Sequence, residues 1–358
     1  MIHRFILVIL LVANFGPIVA EAAAKPIYSV WIPYWKKTTG TAETLAHISQ
    51  LNEVSPFSYT VKSNGAVVDT AKLNQEPWLN LFASAKLKKI KIIPAINWAD
   101  DQAIYNVMAS STLRLAHENQ IISLIQANNF DGVDIDYENK TPETRVYFSK
   151  FIKELYLKLA PLKKELSCTV EARTPVASRF TVVPKDIEYA NDYAVLNSYC
   201  NQVRIISYDQ ARVDIVLNKK KARQGFYAPV ADLEWVKKVV AEANKYIVKR
   251  KIMLGVATYG YEYEVNGTGQ LADYREARSL NYQDFLDLAK NNNAMPRRDL
   301  AGELSFIYAT ATSTRLAVFS DSVAIADKIK LARTLGLRGV AIFKIDGASD
   351  PLLWGLIK

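Results

Sequence analysis

The chain alternates short, nearly continuous apolar runs with longer segments in which apolar residues recur at helical spacing. The short runs are typical of strands that are covered on both faces. The longer segments, such as Leu113–Asn128, Thr144–Leu162 and Leu233–Lys249, predict amphipathic helices. Strands that alternate with helices run parallel to one another. The eight predicted strands are Ser29–Ile32, Glu53–Thr60, Ile90–Ile96, Gly132–Tyr137, Ser167–Ala172, Val203–Tyr208, Ile252–Thr258 and Gly339–Ile345.

Eight strand–helix units favour a closed (β/α)8 barrel, in which functional side chains lie at the carboxyl ends of the strands. An open doubly wound sheet is the alternative, and it would need a glycine-rich phosphate loop after the first strand. The segment there, Trp31-Ile32-Pro33-Tyr34-Trp35, contains no glycine. We therefore predict one α/β barrel over residues 23–358.

The stretch from Tyr261 to Leu335 is long for a single strand–helix unit. It contains two β-like runs, Leu304–Ala309 and Arg315–Phe319, before the last predicted helix, Ile325–Leu335. These runs predict a small α+β insertion, at about residues 261–322, between the seventh strand and the last helix.

The first 22 residues have the organisation of a secretory signal peptide. His3 and Arg4 precede the apolar run Phe5–Ala13, and Ala20-Glu21-Ala22 offers small residues at a cleavage site. The apolar run is short for a membrane span, but an uncleaved anchor remains open. We expect a secreted or cell-envelope protein.

The net charge of +9 favours anionic surroundings, such as a cell wall or a membrane surface. No nucleic-acid-binding motif is present, and we expect the protein to act as a monomer. The two cysteines, Cys168 and Cys200, exclude a disulfide scaffold and a zinc site built on cysteines. They lie near the starts of neighbouring predicted strands, so a disulfide and two buried thiols both remain open.

Candidate chemistry is concentrated at the fourth predicted strand, which reads Phe-Asp-Gly-Val-Asp-Ile-Asp-Tyr-Glu over residues 130–138. Asp134, Asp136 and Glu138 stand two apart, so a strand projects all three from one face. Acids this close have pKa values that are pushed apart, so one can donate a proton while its neighbours stay anionic. An EF-hand calcium loop is excluded, because its glycine and final glutamate positions hold Asn139 and Arg145.

These acids, with Asp131, resemble the fourth-strand signature of glycoside hydrolase family 18, the chitinase-like family. The resemblance covers about residues 27–356 and is closest to the branch with bacterial spore-germination and cell-wall glycosidases. Two departures concern the third strand, which ends Asn97-Trp98, and Phe343, where many members have tryptophan. Further matching segments are Ser55-Pro56-Phe57, Ser207-Tyr208-Asp209, Leu254-Gly255, Tyr259-Gly260, residues 336–343 and Asp350-Pro351 with Trp354.

The resemblance implies hydrolysis of β-1,4 bonds in glycans containing N-acetylglucosamine, with the substrate acetamide as nucleophile. Glu138 would be the general acid and then the base. Asp136 would hold the acetamide N–H, and Asp134 would share a proton with Asp136. Tyr208 would donate to the acetamide oxygen, and Asp209 would bind a sugar hydroxyl or orient the acetamide. Neither a metal nor a cofactor is required.

Several other side chains are candidates for binding an N-acetylated polysaccharide or oligosaccharide. Trp35, Trp98, Tyr259, Phe343 and Tyr59 could stack on sugar rings, although core packing is an equal alternative for each. Arg173 and Glu171 end the fifth strand; an ion pair between them is the simpler interpretation, and recognition of a substrate carboxylate by Arg173 is the sharper one.

Two other classes of function stay open. One is a catalytically silent, lectin-like protein on the same barrel, although such proteins typically lack the final glutamate, and Glu138 is present. The other is a cell-wall protein whose barrel serves mainly as a partner surface.

Overall fold

The computed structural model describes residues 25–210, 214–268 and 272–357. The signal peptide predicted over residues 1–22 lies outside these ranges. The strands are β1 (Ile27–Pro33), β2 (Glu53–Val61), β3 (Val67–Asp69), β4 (Lys91–Ile92), β5 (Ala95–Trp98), β6 (Gly132–Tyr137), β7 (Glu165–Glu171), β8 (Gln202–Ile206), β9 (Ile252–Ala257), β10 (Gly260–Asn266), β11 (Asp273–Leu280), β12 (Arg297–Arg298), β13 (Leu304–Ala309), β14 (Thr314–Phe319) and β15 (Gly339–Phe343).

Eight parallel strands close into a barrel in the order β1, β2, β5, β6, β7, β8, β9 and β15, with β15 pairing back to β1. The predicted (β/α)8 fold is therefore confirmed. The strand predicted over Ile90–Ile96 is divided into β4 and β5 with Pro94 between them, since proline has no N–H to donate to a ladder. A hairpin adds the short β3 antiparallel to the end of β2.

Helices surround the barrel. Most of them are preceded by a capping residue whose side chain accepts a hydrogen bond from a backbone N–H of the first turn. Capping residues of this kind include Asp100, Ser110, Asp192, Asp232 and Asp321. The helices are α1 (Lys37–His47), α2 (Trp78–Leu87), α3 (Asp101–Ala109), α4 (Ser111–Ala127), α5 (Arg145–Leu159), α6 (Val176–Arg179), α7 (Tyr193–Tyr199), α8 (Ile215–Ala222), α9 (Leu233–Ala243), α10 (Tyr282–Asn291) and α11 (Ser322–Leu335).

The main apolar core lies between the outer faces of the strands and these helices. On β6, the outward residues Val133, Ile135 and Tyr137 are fully buried, and Tyr137 stacks on Phe151 of α5 with ring centroids 5.8 Å apart. The helix predicted over Leu233–Lys249 is shorter in the structure and ends at Ala243. The inward faces of the strands carry the polar residues of the site described below, together with a small apolar cluster of Trp31, Ala95, Met253 and Ala341.

Between β9 and α11 the chain forms a five-stranded antiparallel sheet in the order β11, β10, β14, β13, β12, covered by α10. Phe285 of α10 packs against Phe306 and Phe319 in a small core of its own. The predicted α+β insertion is therefore present, and the two β-like runs predicted within it correspond to β13 and β14.

Cys168 of β7 and Cys200, which precedes β8, form a disulfide with their Cα atoms 6.1 Å apart. The structure therefore selects the disulfide over the two buried thiols. Among the described residues, no helix combines the length and apolarity needed to cross a lipid bilayer.

Candidate active site

Strand β6 places two carboxylates inside the barrel and a third just beyond its end. Asp134 is 0% exposed and Asp136 is 4% exposed, while Glu138 is half-buried. The Glu138 backbone N–H donates to the carbonyl of Trp98 at 2.8 Å, which extends the pairing with β5 by one residue. The three acids therefore rise in a row along one face of the strand, with Glu138 nearest to solvent.

The turn after Glu138 is held by a carboxylate from the neighbouring strand. Asn139 has a left-handed backbone (φ +57°), and its N–H donates to Glu171 Oε1 at 2.8 Å. The other oxygen of Glu171 accepts from the Asn191 amide at 2.9 Å. The next residue, Lys140, is buried, contacts the carbonyl of Tyr137 and lies 4.6 Å from the ring centroid of Phe148. Glu171 thus fixes the turn that separates the half-buried Glu138 from a buried lysine.

Asp134, the deepest of the three acids, is anchored by donors from three other strands. Its carboxylate accepts from Trp31 Nε1 at 3.3 Å, from Thr169 Oγ1 at 2.9 Å and from Arg204 Nη1 at 3.4 Å. Every one of these groups donates, so Asp134 serves as an acceptor at the base of the site.

Arg204 is fully buried inside the barrel and contacts more than Asp134. Its Nη2 lies 3.1 Å from Glu53 Oε2, and its Nη1 donates to Ser55 Oγ at 2.8 Å. The guanidinium also lies over the ring of Trp31 at 4.9 Å. A buried charge is tolerated when it is paired and hydrogen-bonded, and Arg204 is paired with Glu53 in this way.

Burial dominates the electrostatics of the upper two acids. It raises the pKa of Asp136 well above its usual range, and the carboxyls of Glu138 and Asp134 raise that pKa further. Burial also raises the pKa of Glu138, with a further contribution from Glu171, while the Lys140 ammonium opposes the change. The Asn97 amide lies 3.4 Å from both Asp136 Oδ2 and Glu138 Oε1 and favours their ionised forms. Both carboxyls therefore keep a proton to higher pH than free acids do.

The acids open into a cavity of about 120 Å³ that is lined by four aromatic rings, four polar side chains and one isoleucine. Phe343 forms part of its wall, with the ring of Tyr208 stacked on it at 5.9 Å and an interplanar angle of 9°. Gly255 of β9 makes this arrangement possible, because a Cβ atom there would lie 3.1 Å from Tyr208 Cε1 and 2.4 Å from the Ile205 carbonyl oxygen. The lining residues are Trp31, Phe57, Asp136, Glu138, Thr169, Ile206, Tyr208, Asp209 and Phe343.

Tyr208 and Asp209 follow β8, which is separated from β6 by β7 alone. Burial raises the pKa of Tyr208 well above its usual range, so its phenol stays protonated and can donate. Asp209 has a left-handed backbone (φ +56°) and accepts from the hydroxyls of Tyr259 at 2.8 Å and Tyr261 at 2.7 Å. Burial nevertheless raises the pKa of Asp209. Tyr259 therefore orients Asp209 and packs edge-on against Phe343 instead of lining the cavity itself.

Two predicted sugar-binding aromatics lie elsewhere. Trp98 is buried on the outer side of β5, with its ring packed against Tyr137 and His117. Tyr59 is buried in the main core, beyond an irregularity in the pairing of β2 with β5. Both side chains point away from the barrel interior, so the expectation that they stack on substrate is corrected. Trp35 is 48% exposed and packs edge-on against Phe57, at the rim of the cavity.

Several residues of the site were missed in the sequence, among them Asn97 and Phe57 and the cavity-lining Trp31, Thr169 and Ile206. Asn97 pairs in register with Asp136, so it faces the barrel interior where its neighbour Trp98 cannot. Phe57 lines the cavity and packs against Phe343 at 5.9 Å. The alternation of inward and outward positions along a strand was the available signal for Asn97.

Arg173 and Glu171 form no ion pair with one another among the described residues, which corrects the simpler interpretation. Arg173 lies between two tyrosine rings, 3.6 Å from the centroid of Tyr189 and 4.0 Å from that of Tyr193. It also donates to the Asn191 carbonyl at 2.8 Å. This cation supports the loop beside Glu171 and does not line the cavity.

A parallel barrel with a row of carboxylates at its carboxyl end, beside an aromatic cavity, is the arrangement of a glycoside hydrolase. Residues 30–348 match the family model of Glycosyl hydrolases family 18. The chain belongs to this family, and it is a glycoside hydrolase.

Relatives and solved structures agree with this assignment. The chain is 24% identical over 320 residues to an uncharacterized glycosylase, YvbX, of Bacillus subtilis, covering 86% of this chain and 84% of the relative. It is 23% identical over 315 residues to a cortical fragment-lytic enzyme of Bacillus subtilis, covering 86% of this chain and 67% of that protein.

Two solved structures share the fold. A chitinase from Chromobacterium violaceum superposes with a TM-score of 0.74 at 20% identity, covering 93% of this chain and 98% of that chain. The spore cortex-lytic enzyme SleL of Bacillus megaterium superposes with a TM-score of 0.73 at 19% identity, covering 93% of this chain and 73% of that chain.

Proposed function

We propose that this glycoside hydrolase cleaves β-1,4 bonds in glycans that contain N-acetylglucosamine, with retention of configuration and with the substrate acetamide as nucleophile. The observation that carries the proposal is the row of three acids that ends at a small aromatic cavity. Pockets that enclose a whole small ligand measure roughly 300–1,000 Å³. The cavity of about 120 Å³ is smaller, so it suits one group of a sugar, such as an acetamide, and not a disaccharide.

In the first step, protonated Glu138 gives its proton to the glycosidic oxygen as the bond from that oxygen to C1 breaks. The acetamide carbonyl oxygen forms a bond to C1 and produces a cyclic cation. Asp136 accepts the acetamide N–H, and the Tyr208 hydroxyl donates to the acetamide oxygen. The raised pKa of Glu138 supports this role, because a general acid must hold its proton near the working pH.

In the second step, water attacks C1 and the bond between C1 and the acetamide oxygen breaks. Glu138, now a carboxylate, takes the proton from water and returns to its starting state. Two inversions at C1 give net retention. Asn97, at 3.4 Å from both Asp136 and Glu138, supports their ionised forms through the cycle.

The decisive experiment is to measure release of reducing sugar from N-acetylglucosamine oligomers by the native protein and by Glu138→Gln. The amide cannot transfer a proton, so we expect kcat to fall by at least about 10³-fold, at the upper end of general-acid contributions. Thermal unfolding of both proteins serves as the folding control. Unchanged turnover in a folded Glu138→Gln variant would exclude Glu138 as the acid and the proposal with it.

A panel of substrates can identify which polymer the enzyme cleaves. The relatives include a cortical fragment-lytic enzyme, and the structural neighbours include chitinases, so peptidoglycan and chitin oligomers are the two substrates to compare. Arg173 is half-buried between Tyr189 and Tyr193, so we expect Arg173→Ala to lower activity equally on both glycans. A loss confined to peptidoglycan would restore Arg173 as a carboxylate-reading residue.

We also propose that the protein acts outside the cytoplasm. The disulfide between Cys168 and Cys200 supports this location, because disulfides persist in oxidising compartments. Fractionation of cells that express the full chain, with mass analysis of its N-terminus, tests export and signal cleavage together. Recovery of the whole chain in the cytoplasm with both thiols free would contradict the proposal.

A further inference from the structure

The amino-terminal ends of the barrel strands form a surface that we call the basal face. It lies at the end of the barrel opposite to Glu138, because all eight barrel strands are parallel. The charged segments of the basal face are residues 25–26, 86–91, 128–131, 162–165, 248–251 and 336–338. Residues 50–52 before β2 and 200–201 before β8 complete the face and add no charge.

Basic residues dominate the basal face. It contains eleven lysines and arginines but only two acids, Asp131 and Glu165. Both acids are occupied: Asp131 accepts the Ile92 backbone N–H at 2.8 Å, and Glu165 contacts Lys91 and, at 3.8 Å, Arg338. The face therefore carries about as much positive charge as the whole chain, whose net charge is +9.

Each of the three most basic segments also exposes an aliphatic side chain. Leu87 is 85% exposed between Lys86 and Lys88, and Leu162 is 36% exposed beside Lys163. Val248 is 36% exposed and precedes the basic run of residues 249–251. Exposed aliphatic residues flanked by basic ones are suited to a lipid bilayer, where the apolar group enters the interface and the cations meet the headgroups.

We infer that the basal face docks on an anionic phospholipid bilayer. A soluble polyanion would satisfy the lysines but would give no role to the three exposed aliphatic side chains. Lys25, the first described residue, lies on this face, so the predicted leader joins the molecule on the membrane side. In this orientation Glu138 and its cavity face away from the bilayer, towards a glycan beyond it.

Vesicle binding of the full chain tests the inference. The vesicles contain phosphatidylglycerol and phosphatidylcholine in equal parts, with phosphatidylcholine alone as the neutral reference. The test variant is Lys88→Glu/Lys163→Glu/Arg250→Glu. The matched control, Lys62→Glu/Lys237→Glu/Lys290→Glu, makes the same change in net charge at exposed positions outside the basal face.

Each basic residue near an anionic membrane contributes about 1 kcal/mol. Reversing three of them should therefore weaken binding to the anionic vesicles by at least about 100-fold, and the control should change it by less than about tenfold. Binding should also weaken with salt, since Coulomb attraction is screened. Equal losses in both variants, or no preference for anionic vesicles, would overturn the inference. If the basic residues serve only to stabilise the carboxyl ends of helices, the protein would show no preference for anionic vesicles.

The leader is present in every variant, so a second readout locates the contact on the chain. We expect amide hydrogen exchange of residues 86–91, 162–165 and 248–251 to slow when anionic vesicles are added. Unchanged exchange in all three segments would contradict docking even if the leader holds the protein on the vesicle. The change Leu87→Ser should weaken vesicle binding, whereas Leu352→Ser, also at an exposed leucine, should not.

Soluble polyphosphate separates a lipid partner from a polymeric one. Tight binding to polyphosphate that Leu87→Ser leaves intact, without binding to vesicles, would replace the bilayer with an anionic polymer and overturn the lipid assignment. Activity on a soluble chromogenic N-acetylglucosamine oligomer should be unchanged in both triple variants. A failure of the docking inference is therefore distinguishable from a failure of the proposed glycosidase activity.

Discussion

The two faces of β6 are equally buried but bury opposite kinds of side chain. Outward, Val133, Ile135 and Tyr137 pack among helices in an apolar shell. Inward, Asp134 and Asp136 lie among a cation, amides and hydroxyls. Burial of the outward face stabilises the fold, because apolar surface leaves water. Burial on the inward face raises the free energy of the charged form of Asp136, so the pKa of this carboxyl is raised and it holds its proton to higher pH.

Alternate positions of this one strand therefore serve folding and chemistry separately. The buried acids of the inward face are tolerated because two cations compensate their charge. Arg204 lies below the acids and Lys140 lies beside them. Substitutions on the inward face should therefore change activity and its pH dependence, and those on the outward face should change stability alone.

Among the substitutions that test the two faces of β6, the largest effect is expected for Asp136→Asn. The amide cannot hold the acetamide N–H as a carboxylate does, so we expect kcat to fall by about 10²–10⁴-fold. Stability should move in the opposite direction. The folded pKa of Asp136 is raised, so the native protein loses stability as pH rises from the usual carboxyl pKa of about 3.9 through that raised value.

The asparagine variant has no such proton to lose, so its midpoint of thermal unfolding should exceed the native one at pH 7 and approach it below about pH 4. Scans at both pH values check this sign. A variant that is less stable than the native protein at pH 7 would show that Asp136 is compensated more fully than its surroundings indicate.

Arg204→Met tests the compensation at the base of the inward face. The change leaves Glu53 and Asp134 buried without their cation, so we expect a loss of about 3–5 kcal/mol in the free energy of unfolding. Adding Glu53→Leu removes one of the two uncompensated acids and should recover part of that loss. Urea denaturation measures both variants, and a double variant no more stable than the single one would contradict the pairing.

Ile135→Ala tests the outward face. Ile135 is fully buried, so the substitution should lower the free energy of unfolding by about 2–5 kcal/mol. Below its unfolding temperature the variant should keep kcat within about twofold of native, because Ile135 faces away from the cavity. A larger change in kcat at unchanged stability would break the separation between the two faces.

The smallest effect is expected for Lys140→Met, which preserves length but removes a buried cation. The Lys140 ammonium opposes the rise in the pKa of Glu138, so its loss should raise that pKa further. Activity requires protonated Glu138, so the alkaline limb of the pH–rate profile should move to higher pH. The exposed lysine variant Lys237→Met is the control, and a shift towards lower pH would reverse the assigned sign.

Much of the fold could be predicted from the sequence because its signals are local. Apolar runs predicted strands such as β9 and β13. Acids at every second position predicted that one face of β6 carries the carboxylates. The pairing of Cys168 with Cys200 could only be left open, because a bond depends on distances between strands that no local pattern carries. The end of α9 at Ala243 was also missed, since amphipathic spacing continues beyond it.

The site was harder to predict because it depends on which face each residue occupies. Asn97 and Trp98 are neighbours, and an aromatic residue near a strand end suggested sugar stacking, yet register with Asp136 and Tyr137 sends Trp98 outward. Tyr59 follows an irregularity in β2 that reverses the alternation after Phe57. The turn held by Glu171 requires a contact between residues 32 positions apart.

Gly255 has a consequence for judging more distant chains of this barrel type. Because glycine has no side chain, the edge of the Tyr208 ring and the Ile205 carbonyl oxygen can lie close to the place where a Cβ atom would be. A chain with any bulkier residue at this point of the seventh barrel strand must tilt its phenol or spread its strands, and the flat stack on Phe343 disappears. A glycine at this position of a related sequence therefore predicts that the tyrosine and phenylalanine rings stack flat in the wall of the cavity.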